Sequence, residues 1–306
     1  MTSPEWRVER GIGESRYALI EDGEIVEARI LRDDIVAAGT VLEAQLVRVG
    51  RPAVARADGV DYLLPKGAGR VTEGARLSIE VTRETLGGVE EWKKPLAKLA
   101  EGMPRPANMP AAPAMDSELD AAGWDDLIAE AREGIVRFAG GELRISLTPA
   151  MTLIDVDGTL PPFSLALAAA KAAGRAIRRH GIAGSIGIDF PTVSGKVERQ
   201  AIADAIDAIL PQPFERTAVN GFGFLQIVRP RRHASLFELA TDRATFEAMA
   251  LLRSASRKVG VTTLHAHAAV LSAIRPGWVE ALAARVGGQV RLHPDPTLAM
   301  WQAYVE

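Results

Sequence analysis

Three aspartates stand where two apolar runs of the sequence end. Asp155 and Asp157 close the run TLIDVDG, and Asp189 closes the run SIGID after one intervening helical segment. If both runs are parallel strands joined by a right-handed helical crossover, their carboxyl ends meet at one edge of a sheet. Carboxylates brought together in this way suit Mg²⁺, which fills its remaining positions with water and phosphate oxygens. The spacing therefore favours a metal-assisted phosphate chemistry.

The same segment supports two other interpretations. The string DVDGTL matches the first motif of the haloacid-dehalogenase-like phosphatases, in which the first aspartate, here Asp155, attacks phosphorus and the second, here Asp157, protonates the leaving group. Those phosphatases also need a later Gly-Asp dipeptide followed by a spaced aspartate, and the sequence has none after residue 158. In the third interpretation the aspartates are solvent-facing strand ends.

Composition narrows the possible chemistry. Of the 306 residues, 47% are hydrophobic and 25% charged, as in a globular protein with a sizeable core. The 36 Lys and Arg against 39 Asp and Glu give a net charge of −3, so no overall basic character indicates nucleic acid, although a local basic patch is compatible with it. The lack of cysteine excludes disulfides, thiolate zinc sites, cysteine nucleophiles and iron–sulfur clusters.

The sequence predicts no association with a membrane. The N-terminal stretch MTSPEWRVERG carries charges where a signal peptide needs an apolar region. No later apolar run approaches the roughly 20 residues that span a bilayer. We therefore expect a cytoplasmic protein.

The first third of the sequence has the pattern of strands and turns. RYALIEDGEIVEARI predicts a hairpin that turns at Asp22-Gly23, and residues 1–38 are expected to pack as strands on the core. Short strands between glycines in residues 39–86 predict a small β-barrel of the OB type. Closely spaced prolines after residue 103 break regular structure, so residues 87–116 are predicted to be a linker.

The remainder alternates helices and strands. In residues 117–238 the order strand, helix, strand, helix, strand predicts an α/β core with functional side chains at strand ends. Residues 239–306 repeat the pattern and are expected to form a small C-terminal α/β domain. The predicted fold class is therefore α/β (α+β), with an N-terminal hairpin and OB-type barrel ahead of the core.

A resemblance to the ribonuclease E/G family rests on four strings in the family's order: TLIDVDG, RHGIAG, SIGIDFPTV and FGFLQIVRPRRHASL. In that family a deoxyribonuclease-I-like (DNase-I-like) subdomain cuts single-stranded RNA with magnesium. The hairpin and barrel resemble the family's N-terminal strands and RNA-binding barrel, and the last segment resembles its small C-terminal domain. The resemblance implies a magnesium-dependent endoribonuclease, with Mn²⁺ as an alternative ion, that leaves 5′-phosphate and 3′-hydroxyl ends.

The resemblance also implies catalytic roles for individual residues. Asp155 and Asp189 match the family's two metal-binding aspartates. Asp157 matches a position usually held by an asparagine that supports the site, so it is a third candidate ligand. Arg229 matches an arginine at the end of the strand that faces the site, where it would neutralise charge that develops during cleavage.

Other matching residues are implied to contact RNA. Together with Arg229, Arg231 and Arg232 form a basic cluster after the string FGFLQIV that would position phosphates. Tyr62 matches a stacking phenylalanine of the barrel, and Lys66 is expected to help grip the RNA strand. The other stacking position is occupied by Ala55, so we expect weaker RNA affinity through the barrel than is usual in the family.

The sequence departs from the family in two further features. No counterpart of the 5′-phosphate sensor lies between the barrel and residue 117, so a preference for 5′-monophosphorylated RNA is not implied. The CPxC cysteines of the family's zinc link are missing, which excludes a zinc-mediated dimer and leaves the oligomeric state open. A second hypothesis keeps the fold without catalysis: a non-catalytic RNA-binding protein.

Overall fold

The computed structural model describes residues 3–86 and 93–306 and contains both helices and sheets, which confirms the predicted class. Its strands are β1 (Glu5–Arg10), β2 (Glu14–Glu21), β3 (Glu24–Arg32), β4 (Val41–Arg48), β5 (Ala53–Ala57), β6 (Val60–Leu64), β7 (Arg76–Arg83), β8 (Leu96–Leu99), β9 (Ala112–Pro113), β10 (Ile135–Phe138), β11 (Gly141–Leu147), β12 (Thr152–Gly158), β13 (Gly184–Asp189), β14 (Glu215–Arg216), β15 (Phe224–Arg229), β16 (Thr262–Ala266), β17 (Val290–Pro294) and β18 (Tyr304–Val305). Its helices are α1 (Glu118–Ala121), α2 (Trp124–Glu133), α3 (Pro162–Arg179), α4 (Lys196–Asp207), α5 (Leu236–Leu239), α6 (Arg243–Ala255), α7 (Ala268–Ala273) and α8 (Pro276–Val286).

The N-terminal strands form a four-stranded sheet in the order β3-β2-β1-β9. The turn between β2 and β3 consists of Asp22 and Gly23, whose φ angles of 48° and 85° are both positive, as a two-residue type I′ turn requires. The predicted hairpin is therefore confirmed. Ile25 and Ala28 of β3 belong to the same buried cluster as α3, so this sheet packs on the core.

A closed five-stranded barrel follows, in the order β4-β5-β6-β8-β7. β4 pairs with both β5 and β7, and β6 runs parallel to β8, in keeping with the predicted small OB-type barrel. The barrel extends beyond the predicted range 39–86, because β8 lies in the segment predicted to be a linker.

The predicted linker, residues 87–116, is also structured at its other end. Strand β9 pairs with β1, and its Pro113 lies on the edge strand of that sheet, where the missing N–H is tolerated. Residues 87–92 of the predicted linker lie outside the described residues.

A six-stranded mixed sheet forms the centre of the core, in the order β10-β11-β12-β13-β15-β14. β12 and β13 are parallel and are connected by α3, whereas β11 and β15 flank them in antiparallel orientation. Ile154 of β12 and Ile186 and Ile188 of β13 are buried in one cluster with the apolar faces of α3 and α4. Both helices therefore cover one face of the sheet. The residues of β12 and β13 that alternate with these isoleucines project from the opposite face.

The C-terminal segment has its own apolar cluster, which surrounds α6 and the three-stranded sheet β17-β16-β18. Arg253 of α6 fastens it to the rest of the chain, because its guanidinium lies 2.8 Å from Glu9 and 2.6 Å from Asp120. In the part of the chain that the structure describes, no helix is both long and apolar enough to cross a membrane.

Candidate metal and phosphate site

Asp155 and Asp189 are neighbours on adjacent parallel strands. They are register partners in the β12–β13 pair. Laterally paired residues project to the same face of a sheet, and here that face is the one opposite α3 and α4. Both side chains are exposed. The structure thus brings these two predicted site residues together, on strands that are about 4.8 Å apart.

The same register extends the row of side chains in both directions. Arg144 of β11 is the partner of Asp155, and Phe224 of β15 is the partner of Asp189. One face of the sheet therefore presents a guanidinium, two carboxylates and an aromatic ring on four consecutive strands. We call Arg144, Asp155, Asp189 and Phe224 the carboxylate row.

The third predicted ligand, Asp157, is engaged by a neighbouring arginine. Nε of Arg144 lies 3.1 Å from Oδ2 of Asp157, and its Nη2 lies 2.6 Å from Oε1 of Glu142. By contrast, no described residue forms a hydrogen bond or an ion pair with the side-chain carboxylate of Asp155 or of Asp189. Two unpaired like charges on adjacent strands repel each other, and a bound cation would relieve that repulsion.

The carboxylate row offers oxygen ligands of the kind that magnesium uses. Over residues 3–86 and 93–306, no group of three or more His, Asp or Glu side chains is placed to hold a metal ion. Mg²⁺ is commonly bound through only one or two carboxylates, since it keeps several waters and takes further oxygens from substrate phosphates. The pair Asp155 and Asp189 therefore fits Mg²⁺, whereas the carboxylate of Asp157 contacts Arg144.

Phe224 packs against the backbone of β13, next to the carboxylates. A Cβ on Gly187 would lie 2.5 Å from Cζ of Phe224 and 3.1 Å from Cδ2 of Leu153, so the absence of a side chain makes room for the ring. The ring and Leu153 form an apolar floor beside Asp189. Sequence reasoning missed Phe224, although a glycine inside a strand is a signal that another group approaches closely.

The catalytic role predicted for Arg229 is wrong, because β15 runs antiparallel to β13. Phe224, at the start of β15, lies opposite Asp189, so Arg229 lies opposite Gly184 at the other end of β13. Its Nη1 donates a hydrogen bond to the carbonyl oxygen of Ile182 at 3.0 Å. Burial lowers the pKa of its guanidinium. Arg229 therefore cannot neutralise charge at the carboxylate row.

Arg231 and Arg232 follow β15 and lie at that same remote end of the sheet. Arg231 forms an ion pair with Glu238 of α5. The carbonyl oxygen of Arg232 accepts a hydrogen bond at 2.9 Å from the N–H of Glu84, which follows the barrel strand β7. The predicted basic cluster thus lies between the core and the barrel, and contact of Arg229, Arg231 and Arg232 with RNA stays a prediction.

The stacking role predicted for Tyr62 is also wrong, because its side chain points into the barrel. Tyr62 is 2% exposed and belongs to the barrel's buried cluster together with Leu64. The alternation of β6 turns Leu63 outward instead. Lys66 is exposed in the loop after β6, and its contact with RNA stays a prediction.

Sequence reasoning missed a groove of about 570 Å³ on the outside of the barrel. It is lined by four cationic residues and an apolar floor: Arg48, Arg83, Lys93, Lys94, Val54 and Leu63. Asp61 also lines it, and hydrogen bonds from Arg56 and Lys94 lower the pKa of that carboxyl to about 2. A cationic groove with an apolar floor suits a single strand of nucleic acid. The sequence signal for this groove is the set of outward-facing residues on neighbouring barrel strands, such as Arg48, Leu63 and Arg83.

Comparison with known proteins adds no functional information. No protein-family model matches this chain, and no curated protein matches it. The carboxylate row and the cationic groove of the barrel are therefore the features that bear on function.

Proposed function

We propose that this protein is a magnesium-dependent endoribonuclease that cleaves single-stranded cytoplasmic RNA on a DNase-I-like core. The observation that carries the proposal is the in-register pairing of Asp155 with Asp189, which places two unpaired carboxylates on an accessible face of the sheet. The barrel supports it, since its cationic groove would bind the strand beyond the cleavage site.

Asp155 and Asp189 are the residues that would hold the ion. When bound, Mg²⁺ supplies Lewis-acid polarisation of a phosphate and lowers the pKa of water. Arg144, beside Asp155, would bind a non-bridging phosphate oxygen and neutralise its growing charge. Water would add to phosphorus and lose a proton, the bond from phosphorus to the 3′ oxygen would break, and that oxygen would take up a proton. The products are a 5′-phosphate and a 3′-hydroxyl.

Asp157 has a positioning role in this scheme. Its carboxylate holds Nε of Arg144 at 3.1 Å. A guanidinium has five N–H donors, so Arg144 is able to keep its contacts with Asp157 and Glu142 while its remaining donors face a phosphate. The support that the resemblance implies for Asp157 is therefore exerted through Arg144.

The proposal is tested by mapping the ends of the products. A single-stranded, AU-rich RNA is incubated with the protein in Mg²⁺ and in EDTA, and the new ends are identified by ligation and phosphatase sensitivity. We expect cleavage only with Mg²⁺, with 5′-phosphate and 3′-hydroxyl ends. Cleavage in EDTA with cyclic phosphate ends, or no cleavage in Mg²⁺, would contradict the proposal.

One observation favours a second function, a non-catalytic RNA-binding protein. Asp157 is paired with Arg144, so only two carboxylates of this group, those of Asp155 and Asp189, are left without a side-chain partner among the described residues. This alternative expects RNA binding that responds neither to Mg²⁺ nor to Asp189→Asn, and no cleavage. The phosphatase interpretation expects a trappable aspartyl-phosphate at Asp155 instead.

A further inference from the structure

One aromatic side chain stands almost fully in solvent near the carboxylate row. Phe222, in the loop between β14 and β15, is 84% exposed. Leaving a phenylalanine exposed forgoes the roughly 1.5–3 kcal/mol that burial of such a side chain contributes. A single exposed apolar residue is ordinary by itself, so the inference depends on how the chain holds this one and on what lies beside it.

The loop that carries Phe222 has a fixed conformation. Oδ1 of Asn220 accepts hydrogen bonds from the N–H groups of Phe222 at 2.9 Å and of Phe224 at 3.0 Å. The N–H of Gly223 donates to the carbonyl oxygen of Asn220 at 3.2 Å. The backbone on both sides of the Phe222 side chain is therefore held, and the ring is presented to solvent from a fixed position.

The same loop is fastened to the chain that follows Asp189. The N–H of Phe190 donates to the carbonyl oxygen of Gly223, and the hydroxyl of Thr192 donates to that of Phe222, each at 3.2 Å. Gly223 has a φ of 95°, and a Cβ there would overlap the carbonyl oxygen of Phe190. Only glycine permits this close approach, which brings Phe222 to the carboxyl end of β13.

Phe222 is consequently close to the proposed cleavage site. Asp189 is the register partner of Phe224, which is two residues from Phe222. The rise per residue and the spacing between strands place the Cα atoms of Phe222 and Asp189 within roughly 10 Å of each other. A base attached to a phosphate that is held at the carboxylate row would reach the ring.

A cationic group lies at the same edge of the sheet. Lys196 is exposed and is the first residue of α4, a helix that begins shortly after Asp189. The positive end of a helix favours phosphate groups. We propose that Phe222 forms a subsite that stacks an unpaired nucleobase of single-stranded RNA next to the scissile phosphate. This inference rests on the proposed function.

A contact with a second copy of the chain is the competing use for an exposed ring. Such interfaces rest on a contiguous apolar patch. The residues that adjoin Phe222 in the chain or bond its backbone are instead small or polar, since its chain neighbours are Gly221 and Gly223, and Thr192 bonds its carbonyl oxygen. A nucleobase needs only one ring face and stacks in a sequence-tolerant way.

The test is a binding assay in which cleavage is blocked. Protein that carries Asp189→Asn is titrated with a short fluorescent single-stranded RNA. The same titration is repeated with double variants that carry Phe222→Ala or Phe222→Trp in addition. The matched control is Val259→Ala, which truncates another apolar side chain that is almost fully exposed, 93% accessible, before β16. A series of RNAs with one abasic nucleotide at successive positions is then bound to the same proteins.

We expect Phe222→Ala to raise the Kd by about 5- to 150-fold, the range of one stacked base. Phe222→Trp and Val259→Ala leave it unchanged. In the abasic series, the RNA that lacks the stacked base binds the protein with Phe222 more weakly than the intact RNA does. The Phe222→Ala protein binds both RNAs equally well. An unchanged Kd in Phe222→Ala, no RNA binding at all, or a change confined to self-association in sedimentation would overturn the inference. A failure of the nuclease proposal appears separately, as wild-type protein that binds RNA without cleaving it.

Discussion

The carboxylate of Asp189 and the guanidinium of Arg229 belong to residues at opposite ends of the β13–β15 strand pair. At the usual rise per residue, the two positions are roughly 16 Å apart along the strands. The arginine beside the carboxylates is Arg144, the register partner of Asp155. We therefore assign to Arg144 the charge neutralisation that the resemblance implied for Arg229.

Arg144→Met should remove charge stabilisation at the phosphate. We expect the rate constant for RNA cleavage to fall by about 10²- to 10³-fold, as when one preorganised donor is removed from an active site. Arg229→Met is the matched control and should leave the rate constant unchanged, because its side chain bonds Ile182 at the other end of the sheet. Single-turnover kinetics measures both, and the reverse order of effects would contradict the assignment.

Magnesium should stabilise the fold through the two unpaired aspartates. In EDTA, Asp189→Asn should raise the free energy of unfolding by about 0.2–1 kcal/mol, since it removes a like charge beside Asp155. In Mg²⁺ at ten times its Kd, the wild-type protein should gain about 1.4 kcal/mol, and the variant should gain nothing.

Urea unfolding with and without Mg²⁺ measures these differences. Asp126→Asn, a change of an exposed aspartate on α2, is the control and should respond to Mg²⁺ as the wild type does. An equal gain in Asp189→Asn would show that the ion binds elsewhere.

Tyr62→Leu separates a core role from a stacking role. The side chain is buried in the barrel, so we expect the substitution to lower the free energy of unfolding by about 1–3 kcal/mol. The RNA affinity of the protein that remains folded should not change. Chemical denaturation and an RNA titration at a temperature below unfolding test this, and a loss of affinity at unchanged stability would restore the stacking role.

His233 should make the fold sensitive to mild acid. Burial and the neighbouring Arg29 lower its pKa to about 4, from 6.5 in an unperturbed histidine. Because the unfolded chain binds the proton more tightly, stability is complete above pH 6.5 and falls as the pH drops toward 4.

The expected slope is at most about 1.4 kcal/mol per pH unit. Urea unfolding at several pH values should show this slope in the wild type and a smaller one in His233→Asn. Identical slopes in the two proteins would assign the pH dependence to other groups.

The features that the sequence predicted correctly follow from local turn chemistry or from the order of consecutive elements. Asp22 and Gly23 predict their turn because both residues tolerate a positive φ. The alternating apolar residues on either side predict the two strands that the turn connects. Asp155 and Asp189 are adjacent because a strand, a helix and a strand in succession give a parallel pair, whose ends meet by topology alone.

The features that the sequence could not predict depend on strand direction and on closure of the barrel. Arg229 follows an apolar run as Asp189 does, but nothing in its own strand shows that β15 is antiparallel to β13. Tyr62 alternates with Leu63, and only the closure of the barrel decides which of them points inward. Arg144 was missed because its place in the row depends on register across two hairpin strands.

The most direct test of the central claim, that Asp155 and Asp189 jointly hold a catalytic magnesium ion, is the Mg²⁺ dependence of single-turnover RNA cleavage. Wild type, Asp155→Asn, Asp189→Asn and Asp126→Asn are compared on one single-stranded, AU-rich RNA. We predict cleavage by the wild type and by Asp126→Asn, and its loss in the other two variants at every Mg²⁺ concentration. Cleavage that persists in both Asp155→Asn and Asp189→Asn would contradict the account.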